Sequence, residues 1–213
     1  MKKALCVFTI LAVLSLSLNV FGVLVDDQPA SWRGDDGTTL QGWDFLDPSA
    51  TLAPEMGTNP YGTTEIEVIP GFGQEYQASW GGMSGVWPLS GTILVDIPNN
   101  IAPNPYKEIW VQLVWAEQAP GNTPTVWETI SGNGGTLVYH DPAYALTGEP
   151  VGGANWNYSV YSIIIEPNPA FETVRVDGGI MVDSLVIDTI CVPEPATLAL
   201  LGLGGLLLRK RHG

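Results

Sequence analysis

The sequence predicts an all-β domain, an antiparallel β-sandwich, set between two terminal segments that are not part of the fold. Three observations carry this. No stretch between Val25 and Ile190 keeps apolar residues at helical spacing. Short runs of alternating apolar and polar residues recur instead, and a period of two marks a strand with one buried face. Turn residues separate the runs at intervals of ~8–12 residues, as sandwiches and barrels require. The chain has 25 glycines and 17 prolines among 213 residues.

Taken in order, Thr64–Val68 turns Ile66 and Val68 inward, and Glu75–Trp80 alternates in the same way. Thr92–Ile97 places Ile93, Val95 and Ile97 on one face before Pro98, which has no N–H for a ladder. Ile109–Trp115 is apolar on both faces, with Ile109, Val111, Leu113 and Trp115 opposite Trp110 and Val114. A strand of that kind is central and covered on both sides. Thr136–Tyr139, Tyr158–Glu166, Thr173–Val176 and Met181–Ile190 complete the set. Pro103-Asn104-Pro105 and Pro167-Asn168-Pro169 each precede a strand and read as one turn used twice, at similar corners of two sheets.

Composition narrows the function. The net charge is −14, and between Asp26 and Asp188 the only cations are Arg33, Lys107 and Arg175. Such a surface repels phosphate backbones, so nucleic acid is excluded as a partner. Hydrophobic residues make up 45% of the chain and eight are Trp, a composition that folds rather than stays disordered.

Residues 1–22 have the parts of a secretory signal peptide. Lys2 and Lys3 precede the apolar run from Ala4 to Leu18, and Val20-Phe21-Gly22 offers a cleavage site. Cys6 lies inside the apolar run, which argues against a lipoprotein. Residues 23–190 form the ectodomain, and residues 191–213 a separate tail. In the tail Pro193-Glu194-Pro195 precedes a Gly/Leu-rich run ending at Leu208, and Arg209-Lys210-Arg211 follows. The prolines hold Glu194 extended. Ala196–Leu208 would make about 20 Å of helix at ~1.5 Å per residue. The hydrocarbon layer is ~30 Å thick, so this is a short span for a lasting anchor. The basic cluster fits a cytoplasmic stop.

This order of motif, apolar helix and basic stop resembles the PEP-CTERM sorting signal of bacteria that carry an exosortase. The resemblance implies export by the general secretory route and transient anchoring in the inner membrane. An exosortase then recognises and cuts at Pro193-Glu194-Pro195, leaving the mature protein at the cell surface or in the extracellular matrix. Ile180–Asp188 running into the tail is similar to the last strand of many PEP-CTERM ectodomains. That similarity implies a jelly-roll sandwich like the galactose-binding type. Domains of that type often tie their termini with a structural calcium ion, for which Asp183 with Asp26, Asp27, Asp35 or Asp36 are the candidate ligands. Solvated acids are the competing reading of the same residues.

Candidate chemistry in the ectodomain is sparse. His140-Asp141 is read as a turn pair, because no nucleophile elbow accompanies it. One ectodomain His and one Cys do not make a zinc set. Glycosidase chemistry needs two carboxylates at a set separation, and no local motif singles out a pair. Arg33-Gly34-Asp35 reads as a polar turn. Trp80, Trp87 and Trp156 stand beside Gly, Pro or Asn and are the candidates for stacking on the sugars of an exopolysaccharide. Trp110 and Trp115 are assigned to the core. Cys191 is the only cysteine left after signal cleavage, so no intrachain disulfide forms. The expectation is a non-catalytic surface or matrix protein. Carbohydrate binding is the alternative, with a polysaccharide hydrolase behind it.

Overall fold

In a computed structural model, residues 24–102, 104–129, 136–145 and 153–192 are described, the stretch 136–145 by its backbone alone. These residues form thirteen strands. In chain order they are β1 (Thr38–Trp43), β2 (Thr51–Leu52), β3 (Met56–Thr58), β4 (Glu65–Ile69), β5 (Gln77–Trp80), β6 (Met83–Leu89) and β7 (Thr92–Pro98). Then come β8 (Tyr106–Glu117), β9 (Thr125–Glu128), β10 (Thr136–Ala145), β11 (Trp156–Ile165), β12 (Phe171–Asp177) and β13 (Ile180–Val192). No α-helix occurs among the described residues. The expected signal peptide and the apolar helix of the tail lie outside them.

The larger sheet runs β10-β11-β8-β13-β1-β3, and the β5–β6 hairpin joins it through β6 against β13. The smaller runs β2-β4-β7-β12-β9. Every pairing is antiparallel. β13 pairs with β8 along its whole length, and its other edge is shared by β6 and then β1. The last strand is therefore central, which explains its apolar run on both faces.

The main core lies between the sheets. Ile66, Val68, Ile93, Val95, Ile97, Val174 and Val176 of the smaller sheet meet Ile109, Val111, Leu113, Trp115, Ile163, Leu185 and Ile187 of the larger. The alternation read from the sequence thus places Ile66, Val68, Ile93, Val95 and Ile97 inward, and β8 is the two-faced strand expected. The second face of the larger sheet has its own apolar cluster, with Val86, Val114, Trp156, Tyr158, Val160 and Met181.

That second face is covered by residues 24–37, which cross it as a strap. The backbone N–H of Gln28 donates to Gln112 Oε1 and Tyr158 Oη, both at 3.1 Å, and Trp110 Nε1 donates to the Gln28 carbonyl at 2.8 Å. Gln112 Nε2 reaches Asp26 Oδ1 at 2.7 Å. A buried glutamine in mid-strand is tolerated because both ends of its amide are satisfied.

Five strands were not anticipated: β1, β2, β3, β6 and β9. β6 contains Pro88 and Gly85, and β1 carries Gly42, so each breaks the period-two signal. His140 belongs to strand β10 and pairs with Tyr161. The turn expected there gives way to a ladder that continues through the His-Asp-Pro stretch with a register shift between Asp141 and Tyr144.

Candidate functional site

The polar residues of the sandwich gather at one end, where the chain leaves β13. Lys107 on β8 and Glu172 on β12 face each other across the gap between the sheets, both 0% exposed, and form an ion pair. Lys107 lies opposite Ile165 on one side and Cys191 on the other, and Glu172 lies opposite Ile97. Asn99, just past β7, closes the cluster. Lys107 Nζ donates to Asn99 Oδ1 at 3.0 Å, and the Cys191 thiol donates to the same oxygen at 2.8 Å. Asn99 Nδ2 donates to Asn168 Oδ1 at 2.7 Å and to the Pro169 carbonyl at 2.6 Å. The turn before β12 therefore meets the segment that follows β7.

Burial dominates the electrostatics here. It pushes Glu172 up to about 7, with Lys107 pulling down and Glu128 pushing further up. Burial also raises the Cys191 thiol, against the pull of Lys107. An amine, an amide and a carboxyl that exchanges protons near neutrality are thus held together in a dry place. Asn99 also lines an open groove of about 360 Å³ with Tyr61, Asp96, Ile101 and Phe171.

A second cation centre clasps the strap. Arg33 forks onto Asp188, with Nε to Oδ1 at 2.5 Å and Nη2 to Oδ2 at 2.6 Å. It also binds Asp26 through Nη1 and through Nη2, the latter at 2.8 Å. Burial would raise Asp26, but hydrogen bonds from Arg33 and Gln112 hold it below the usual range. Arg33-Gly34-Asp35 is a turn whose arginine is fully engaged, with Gly34 at φ 88°.

The candidate calcium ligands are not brought together. Asp183 is 3% exposed and its Oδ1 has no hydrogen-bond partner. Burial, and then the nearby charge of Asp44, push it up to about 7. It stands beyond the Trp43 end of β1, whereas Asp35 and Asp36 precede the Thr38 end. Asp26 is occupied by Arg33, and Asp27, Asp35 and Asp36 are exposed. The expectation of a calcium site on Asp183 and these acids is therefore corrected: Arg33 holds Asp26, and the length of β1 separates Asp183 from the turn that carries Asp35 and Asp36. Among the described residues no group of three or more His, Cys, Asp or Glu is placed to hold a metal.

The three tryptophans also separate. Trp156 is 0% and Trp87 4% exposed, and a ring covered on both faces presents nothing to a sugar, so the stacking expectation is corrected for these two. Trp80 is half-buried, set edge-on to Trp156 at 5.7 Å. It lines a groove of about 380 Å³ with Glu117, Gln118, Asn155 and Asn157. Gly81, at φ 56°, makes the hairpin possible, because a Cβ there would lie 2.7 Å from Ala154 Cβ. Its carbonyl accepts Trp156 Nε1 at 2.8 Å.

Sequence reasoning missed Lys107, Asn99 and Glu172. A signal was present for the first: two residues back from Ile109, Lys107 continues the apolar face of β8 as its one cation. Pro193, Glu194, Pro195, Arg209, Lys210 and Arg211 lie outside the described residues. The described chain ends with Val192 paired to Tyr106 at the Lys107 end of the sandwich, so the segment that follows starts beside the buried cluster.

No curated protein and no solved structure matches the chain. A family model, the PEP-CTERM protein-sorting motif, matches residues 192–211. The match begins at the last residue of β13 and ends at Arg211, spanning the proline motif, the apolar run and the basic stop, and by it the chain is identified as one that carries a PEP-CTERM sorting motif and is sorted for export to the cell surface.

Proposed function

We propose that the protein is a non-catalytic surface or matrix component, cut by an exosortase at Pro193-Glu194-Pro195 after transient anchoring in the inner membrane. The observation that carries this reading is the sorting motif running directly on from the central strand. The folded domain and the processing site are then adjacent, with no long linker between them. A galactose-binding-like jelly roll is the finer fold reading, supported by two facing antiparallel sheets with the closing strand in mid-sheet. Intact-mass measurement of protein extracted from the surface tests the processing. The expected species lacks Arg209–Gly213, and a mass that includes those residues overturns the reading.

A second reading, carbohydrate binding, is favoured by the Trp80 groove. A half-exposed indole beside two asparagines, a glutamine and a glutamate offers one stacking face and several hydrogen-bonding groups, the combination a sugar ring uses. Titration of exopolysaccharide against Trp fluorescence should give saturable quenching that is lost in Trp80→Ala. Quenching that survives this substitution removes the groove as its source. Release of reducing ends would make the protein a hydrolase instead.

A further inference from the structure

We propose that Lys107 and Asn99 join in an intramolecular isopeptide bond, with Glu172 as the proton carrier. Lys107 Nζ touches both Asn99 and Glu172, and all three residues are almost wholly buried at the end of an inter-sheet core. Lys107 Nζ is 3.0 Å from Asn99 Oδ1, and that oxygen is one bond from the carbon an amine attacks. A buried ammonium and carboxylate are both costly to keep charged, and transferring a proton from Lys107 to Glu172 neutralises both. Burial already raises Glu172 to about 7, so its carboxyl both takes and returns a proton at neutral pH.

The step balances without any further reactant. Glu172 removes a proton from the Lys107 ammonium, and the free amine attacks Asn99 Cγ while the carbonyl electrons move to Oδ1. The Cys191 thiol, 2.8 Å from that oxygen, stabilises the developing charge as an oxyanion donor does. Proton transfer through Glu172 to Nδ2 then lets the Cγ–Nδ2 bond break as the carbonyl re-forms. One ammonium proton stays on the new amide, the other two leave with Nδ2 as ammonium, and Glu172 ends as a carboxylate. The leaving nitrogen has an exit, because Asn99 lines the open groove beside Ile101 and Phe171.

The bond would tie the end of β7 in one sheet to the start of β8 in the other, next to the point where the chain continues into its sorting segment. That point lies on β13, whose Cys191 pairs directly with Lys107.

Trypsin reads the result directly on the denatured full chain. Lys107 is the only cleavable residue between Arg33 and Arg175, and an acylated lysine is not cut. The expected product is a single peptide of residues 34–175, lighter by one ammonia. Two peptides, 34–107 and 108–175, at their sequence masses would overturn the proposal. Glu172→Gln and Lys107→Met should each lose the ammonia deficit, and Glu172→Gln should restore cleavage after Lys107. A deficit that persists in Lys107→Met would come from asparagine cyclisation elsewhere and would likewise overturn it. The wild-type digest decides the matter even where a variant fails to fold.

Discussion

Arg33 and Lys107 each sit against a fully buried carboxylate, Asp188 and Glu172, yet the two pairs differ in exposure and donor chemistry. The Arg33 side chain is 19% exposed and that of Lys107 0%. Arg33 spreads a planar fork over two acids from distant parts of the chain, so it acts as a clasp that keeps its charge at any pH a protein meets. Lys107 presents a compact point charge with three rotatable donors, and it shares its site with an amide. One centre holds the strap on the outside of the larger sheet. The other has the ingredients of a reaction between the sheets. Arg175, with Nε 2.8 Å from Asp177 and its guanidinium over Trp127, is the exposed counterpart of both.

Removing either cation tests this contrast. Lys107→Ala leaves Glu172 unpaired in the core together with a cavity, and should cost about 4 kcal/mol. At roughly 2–4 °C per kcal/mol for a chain of this size, the thermal midpoint should fall by about 8–16 °C. Arg33→Ala should cost somewhat less, about 3 kcal/mol, because water reaches the rim of its site. Arg33→Lys sharpens the comparison: losing the fork should cost about 1–2 kcal/mol although the charge stays. Equal midpoints for Arg33→Lys and Arg33→Ala would show that geometry, not charge, is all the clasp supplies.

The pH dependence follows from the same buried acids. Glu172 and Asp183 are raised to about 7 in the folded chain, well above ordinary carboxylate values of about 4. Between those values the native state binds more protons than the unfolded chain, so stability is full below about 4 and falls as pH rises toward 7. Asp26, held low, contributes in the opposite sense and loses its contribution only in stronger acid. The melting midpoint should therefore be higher near pH 5 than at pH 8. Asp183→Asn should raise the midpoint at pH 8 by several degrees and change it little near pH 4. A midpoint that rises from pH 5 to pH 8 would contradict the burial of these acids. The smallest effect belongs to Trp80→Ala, about 1 kcal/mol from a half-exposed ring with one edge contact, so any loss of polysaccharide quenching in that variant reports binding rather than unfolding.

Much of the architecture could be read before any tertiary contact was known. β4, β7, β8, β11 and β12 carry clean alternation or a doubly apolar run, and they fall where expected. β1 and β6 were hidden because glycine and proline interrupt their pattern, and they are strands because β13 offers them an edge. Among the candidate residues, Trp87 and Trp156 look like loop tryptophans by their neighbours. Trp156 is buried on the second face of the larger sheet, edge-on to Trp80 of the β5–β6 hairpin, whereas Trp87 on β6 turns into the core between the sheets.

By itself the sequence determined the class of fold and the destination of the protein. Both are carried by contiguous features: alternation along a few residues, and the order of prolines, apolar run and basic stop in the tail. Only the tertiary structure decided which polar groups meet. Arg33 and Asp188 are 155 residues apart, and Cys191 and Asn99 are 92 apart. The Lys107–Glu172 pair requires two sheets to close over one end of a common core. Linear order holds no record of such encounters, because they arise from burial of the apolar faces that carry these residues into contact.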